Sequence, residues 1–171
     1  VAGVQPQSET VWRQADRYQV PRICFVNKMD RVGADFDRTM DTIRHRLKAN
    51  PVPVQCPMGE ADSFTGVIDL LGGRALVYKK GSNAEATTPE ESPMPQEYAE
   101  QYEQYREVML EKIVETDDDL MARYLDGGDI TPDELMEALR NATLSLKIVP
   151  VLCGTALRSM GIQPLLDAVV N

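Results

Sequence analysis

Two short apolar runs set the strongest limit on what this chain can fold into. Ile23-Cys24-Phe25-Val26 lies between Pro21 and the polar Asn27, and Ile148-Val149-Pro150-Val151-Leu152-Cys153 stops at Gly154. Neither run alternates with polar residues, so neither offers a face to water; each has the pattern of a strand buried on both faces of a parallel sheet. Parallel neighbours need a long, usually helical, crossover. After the first run, Asp35 precedes Phe36, Met40, Ile43 and Leu47 at spacings of four, three and four, the stripe of an amphipathic crossover helix. Thr131-Pro132-Asp133-Glu134 joins a capping box to a proline at the first helical position, and Leu135, Leu139 and Leu146 are expected to carry that helix towards the second run. Before the first run, Ser8 is expected to cap a helix with Val11, Trp12 and Ala15 on one side, ended by Gln19-Val20-Pro21. A last helix carries Leu165, Leu166 and Val169.

The middle of the chain has a different character. Val67-Ile68-Asp69-Leu70, Gly72-Gly73 and Ala75-Leu76-Val77-Tyr78 read as a hairpin turning on the paired glycines. Residues 80–95 are rich in Gly, Ser, Thr, Pro and Glu and read as a loop. A long helix follows over about residues 96–115. Tyr98, Tyr102, Tyr105, Met109 and Ile113 form one stripe of it, and Glu100, Glu103, Glu107 and Glu111 fall opposite. There is no internal repeat. The expected fold is α/β: part of a parallel sheet with helices on both faces, interrupted by an inserted α+β subdomain of hairpin and long acidic helix. Residues 1–57 and 147–171 would form the sheet unit, and 58–146 the insert.

The 171 residues suffice for one domain carrying an insert, and 43% hydrophobic content suffices for a core. A net charge of −9, from 27 acidic and 18 basic residues, repels a nucleic-acid backbone, so direct RNA or DNA grip is not expected. Cys24, Cys56 and Cys153 form no close pair and resemble buried thiols of a reducing compartment, which points to the cytoplasm. No run approaches a membrane span, and the N-terminus lacks the layout of a secretion signal. Beginning at Val1-Ala2-Gly3-Val4 with no Met, the chain has the look of an excised piece.

Asn27-Lys28-Met29-Asp30 follows the first run directly, at the carboxyl end of a parallel strand, where open α/β sheets bind ligands. Asn, Lys and Asp at this spacing occur by chance in about 2 of 100 such chains. The residue types suit guanine. An ionised Asp30 offers two acceptor oxygens to the adjacent donors on N1 and N2 of the base. Adenine presents a lone pair at N1 and no amino group at C2; a site built on such a pair rejects it by about 10⁴-fold or more. Asn27 can donate to N7 and tie neighbouring loops together, the stem of Lys28 can cover the flat base with its ammonium in water, and Met29 is a spacer pointing into the core. The plain alternative is a polar turn in which Asp30 caps the next element of the chain. At the second run, Gly154 permits close approach and the amide of Ala156 can donate to guanine O6; by itself, Gly-Thr-Ala is as readily an ordinary turn.

Residues 1–15, VAGVQPQSETVWRQA, and Phe25-Val26-Asn27-Lys28-Met29-Asp30-Arg31 resemble bacterial-type elongation factor G. Residues 149–156 and 165–170 extend the resemblance, and Phe64-Thr65-Gly66-Val67-Ile68-Asp69-Leu70 with Glu115-Thr116-Asp117 are similar to that family's extra subdomain within its GTPase domain. The resemblance implies that Asn27, Lys28, Met29 and Asp30 form the guanine-specificity motif, and that Thr155, Ala156 and Leu157 form the supporting base loop. Thr155 replaces the more usual Ser. It further implies GTP and GDP as ligands, Mg²⁺ in the parent protein, and translocation on the ribosome, with the insert meeting acidic stalk proteins.

No Gly-Lys pair occurs anywhere in the chain, so the phosphate loop G-x-x-x-x-G-K-[ST] is absent from it. Its backbone nest, lysine and Mg²⁺-holding hydroxyl are then missing too, and the family's catalytic histidine belongs upstream of Val1. No catalytic residue and no metal ligand is expected here, and this piece alone is expected not to hydrolyse GTP. Asp30-Arg31-Val32-Gly33 and Asp69-Leu70-Leu71-Gly72 match the loose D-x-x-G switch pattern only by accident. His45, on the crossover helix, is expected as a surface or boundary residue. The acidic stripe Glu100, Glu103, Glu107, Glu111 reads either as a solvated face or as a docking surface for a basic ribosomal partner. The rival from another class is a non-catalytic interaction module docking on stalk proteins through that helix.

Overall fold

The computed structural model describes residues 3–79 and 88–170. Two sheets organise it. Strands β1 (Cys24–Val26), β2 (Pro51–Pro53) and β7 (Val149–Cys153) form a parallel sheet in the order β1-β7-β2. Strands β3 (Gln55–Met58), β4 (Gly66–Asp69), β5 (Arg74–Val77) and β6 (Glu90–Pro93) form an antiparallel sheet in sequence order. The helices are α1 (Pro6–Arg17), α2 (Phe36–Arg46), α3 (Ala99–Val114), α4 (Asp118–Leu125), α5 (Pro132–Leu144) and α6 (Ile162–Val170). The α/β fold class read from the two apolar runs is the one observed.

β7 is buried along its whole length and sends its side chains to two separate cores. Leu152, with Ile148 just before the strand, joins a cluster with Met109, Ile113 and Val114 of α3 and with Leu135, Ala138, Leu139 and Ala142 of α5. Val151 and Cys153 join Val26, Met29 and the α2 residues Phe36, Met40 and Ile43. Both faces of this strand are dry, which is why its sequence carries no polar alternation. β1 departs from the reading: only Val26 is buried, while Cys24 and Phe25 are half-buried. It pairs on one side alone among the described residues, so its apolar run is wrapped less completely.

Val54 joins the two sheets: its N–H donates to Val151 O at 3.1 Å and its carbonyl accepts from Leu70 N at 3.1 Å. β2 and β3 on either side of it were not foreseen. Their Pro-rich letters, Pro51-Val52-Pro53 and Pro57, speak against strand, but β2 lies at the sheet edge, where a missing N–H is tolerated. The hairpin of β4 and β5 forms as expected, with Gly73 at φ +64° in its turn. The loop expected over residues 80–95 is corrected in part: residues 80–87 lie outside the described residues, and Glu90–Pro93 is strand β6. This edge strand pairs with β5 on one side only, so its free side tolerates charged residues and Pro93, and exposed ion pairs Arg74–Glu91 (2.9 Å) and Lys79–Glu90 (2.5 Å) add to the pairing.

Three helix readings also shift. α1 starts at Pro6 after Gln5, so Ser8 lies inside it rather than capping it, and Val11 is exposed. α5 has the expected capping box between Thr131 and Glu134 but ends at Leu144; Leu146, at φ +63°, is already outside. α4 was not foreseen; Asp117 caps it by accepting from the amides of Asp119 and Leu120. The stripe of α3 is as read, with Met109 and Ile113 fully buried and Glu100, Glu103, Glu107 and Glu111 exposed. No described helix is long and apolar enough to cross a membrane.

Candidate functional site

The carboxyl ends of β1 and β7 lie side by side because Val26 pairs with Cys153 in parallel register. The ladder runs on into both loops: Gly154 N donates to Val26 O at 3.0 Å and Met29 N to Gly154 O at 3.1 Å. Only glycine fits at 154, since an added Cβ would stand 2.3 Å from Met160 O and 2.8 Å from Phe25 Cζ. The second loop closes on itself through the reciprocal backbone pair of Thr155 and Met160, with the one-turn 3-10 helix Ala156–Arg158 between them.

Asn27 locks the two loops together. Its side-chain Oδ1 accepts from Lys28 N at 2.8 Å and from Ala156 N at 2.9 Å. That second bond changes the expectation for Ala156: its amide, assigned to guanine O6, is here donated to Asn27, so a base oxygen must share or displace it. The amide nitrogen of Asn27 remains the group available to a ligand acceptor. Lys28 adopts φ +67°, a left-handed conformation costing a bulky residue about 1 kcal/mol or more, which the Asn27 bond and the Arg31 N to Lys28 O turn hold in place. Its side chain is exposed.

The remaining residues divide sharply by burial. Met29 is 1% exposed and turned into the core, leaving only its backbone to the loop. Thr155 is equally buried, so it supports the loop from beneath, whereas Ala156 and Leu157 are exposed. The Asp30 side chain is 6% exposed, and its Oδ2 lies 3.2 Å from Nε of Arg158, which is half-exposed. Arg158 was missed by sequence reasoning; its only signal there was a cation directly after the Thr-Ala-Leu loop. Asp30 neither caps the following helix nor turns onto its own backbone among the observed bonds. Asp35 caps α2 instead, accepting from Arg38 N at 2.8 Å.

Glu100, Glu103, Glu107 and Glu111 lie elsewhere, on the solvent face of α3, with no ion-pair partner among the described residues. α3 is tied to the helix behind the first loop, for Tyr105 donates to Asp37 and meets the Phe36 ring edge-on at 5.7 Å. Burial and that bond push the Tyr105 phenol well above its usual range. His45 is exposed, as expected.

The cysteines offer no nucleophile. Burial pushes Cys24 up to about 11 and Cys56 up to about 12, and Cys153 also lies well above the thiol range. Among the described residues no three acidic, His or Cys side chains gather as a metal site.

The arrangement is two loops at adjacent parallel strand ends, cross-tied by an amide, with a nearly buried carboxylate at the seam. A carboxylate so placed can accept from two adjacent donors of a ligand. A crystal structure of a protein from Thermus thermophilus superposes on it with a TM-score of 0.84 at 32% sequence identity, covering 99% of this chain and 24% of that one. This chain thus spans about a quarter of that protein's length. The family model described as the elongation factor Tu GTP binding domain matches residues 1–171. Guanine nucleotide binding goes with that family. The chain belongs to the elongation factor Tu GTP-binding domain family, and with it to the translational GTPases.

Proposed function

We propose that this chain is the guanine-recognition portion of the GTPase domain of a translation factor resembling elongation factor G, which couples GTP binding and hydrolysis to translocation on the ribosome. Asp30 takes the N1 and N2 donors of the base, Asn27 holds the loops and faces N7, the Lys28 stem covers one ring face, and Ala156 and Leu157 border the other side. Met29 and Thr155 contribute the buried anchors of the two loops. Residues 1–57 and 147–171 belong to the GTPase domain and 58–146 to its inserted subdomain, whose acidic α3 face meets the ribosome near its stalk proteins. The phosphates and Mg²⁺ are held by a segment of the parent protein that this sequence does not include, and the piece alone does not turn over GTP.

The observation that carries this reading is the bond from Ala156 N to Asn27 Oδ1, which brings the motif after β1 and the loop after β7 into one frame. The experiment is calorimetry of GDP on the full-length protein. Asp30→Ala removes a bidentate, charge-assisted pair and should weaken GDP by about 100-fold or more while leaving the weak binding of ADP nearly unchanged. An unaltered GDP affinity would remove Asp30 from the site.

A further inference from the structure

We infer that Arg158 guards entry to this site: its guanidinium occupies Asp30 while no nucleotide is bound and is displaced when a base arrives. The inference rests on the reading of Asp30 given under Proposed function, and adds a residue and a competition to it. Asp30 Oδ2 lies 3.2 Å from Arg158 Nε, and the Asp30 side chain is only 6% exposed against 51% for Arg158. The carboxylate is thus nearly buried, and the cation against it itself reaches solvent. A guanidinium and the N1–N2 edge of guanine are chemically alike, since each presents N–H donors on neighbouring atoms of one plane. They compete for Oδ2, the oxygen that Arg158 reaches.

The loop is built so that the side chain, rather than the backbone, makes the exchange. Arg158 ends the one-turn helix that begins at Ala156. Ser159 follows in the left-handed region at φ +55°, and the Thr155–Met160 pair closes the loop, with Thr155 N donating to Met160 O at 2.9 Å. Arg158 N donates to Thr155 O at 3.2 Å. With the main chain fixed in this way, opening the site requires only rotation of an exposed side chain. No other cation lies within ion-pair distance of Asp30 among the described residues; Lys28 is exposed and stands in no ion pair with it.

A half-exposed ion pair is weak, so its competition is modest: removing it should tighten nucleotide binding by about two- to fivefold. Because salt screens such a pair, the advantage should shrink as ionic strength rises. The test is stopped-flow binding of a fluorescent GDP to the full-length protein, comparing the unmodified form with Arg158→Ala, Arg158→Gln and Asp30→Ala. Both Arg158 variants should associate faster and bind tighter than the unmodified protein at low salt, with the gap closing at high salt. Arg158→Ala added to Asp30→Ala should change nothing further. Weaker or unchanged GDP binding in both Arg158 variants, with Asp30→Ala still impaired, overturns the guard role alone. GDP binding untouched by Asp30→Ala overturns the underlying assignment of the carboxylate instead.

Discussion

Asn27 joins backbone amides far apart in sequence, those of Lys28 and Ala156, through a single oxygen. Replacing it with Ala leaves both without an acceptor. Asn27→Ala should lower stability by about 1–2 kcal/mol, since each bond is worth about 1 kcal/mol net. The amides of Lys28 and Ala156 should also exchange hydrogen faster than in the unmodified protein, and unchanged exchange at both would mean that the loops are held by other means. The placement of Asn27, Lys28 and Asp30 in a loop at a strand end was open to reading in the letters because the motif is short and follows a recognisable strand. Neither the capture of the Ala156 amide nor the Asp30–Arg158 pair was, because each depends on two strand ends being adjacent, and spacing along the chain carries no such information. Burial of Thr155 was equally hidden, for its side-chain direction is set by the closed loop rather than by composition.

At the scale of elements, α5 shows how far local chemistry reaches. Thr131 Oγ1 accepts from Glu134 N at 3.3 Å, while the Glu134 carboxylate accepts from Thr131 N at 2.9 Å and pairs with Arg123. These contacts, the Arg123 bonds first, hold the Glu134 carboxyl down at about 2, against 4.5 in a free chain. A carboxylate whose folded value is depressed contributes stability above its unfolded value and loses it as pH falls towards the folded one. The unmodified protein should therefore lose more stability than Glu134→Gln between about pH 4.5 and pH 2, with the difference reduced by salt because the pair is exposed. Equal acid limbs for the two proteins would show that the charge on Glu134, with its Arg123 pair, adds nothing to folding. The capping box itself is legible because Thr131 and Glu134 lie within one helical turn. β2, β3 and β6 were not, since Pro51, Pro53, Pro57 and Pro93 mask them. Those strands exist because a neighbour offers an unpaired edge, which is a tertiary fact.

For the whole molecule, Val54 makes the parallel and antiparallel sheets one structural unit, and Tyr105 packs against both of its cores. The acidic face of α3 is thereby packed onto the same body as the loops that follow β1 and β7. If that face meets a basic ribosomal surface, replacing Glu100, Glu103, Glu107 and Glu111 together with Gln in the full-length protein should slow ribosome-stimulated GTP turnover several-fold at low ionic strength. The deficit should fade as salt screens the attraction; turnover identical to the unmodified protein at every salt concentration would leave the stripe as a solvated face. The claim on which the account turns is that the carboxylate of Asp30 chooses the base. Asparagine at this position keeps one acceptor and replaces the other with a donor, which matches the N1–H and C2 carbonyl of xanthine and mismatches the C2 amino group of guanine. Binding of GDP and xanthosine diphosphate to Asp30→Asn, measured in the full-length protein, should show the preference reversed, whereas retention of the guanine preference would contradict the account.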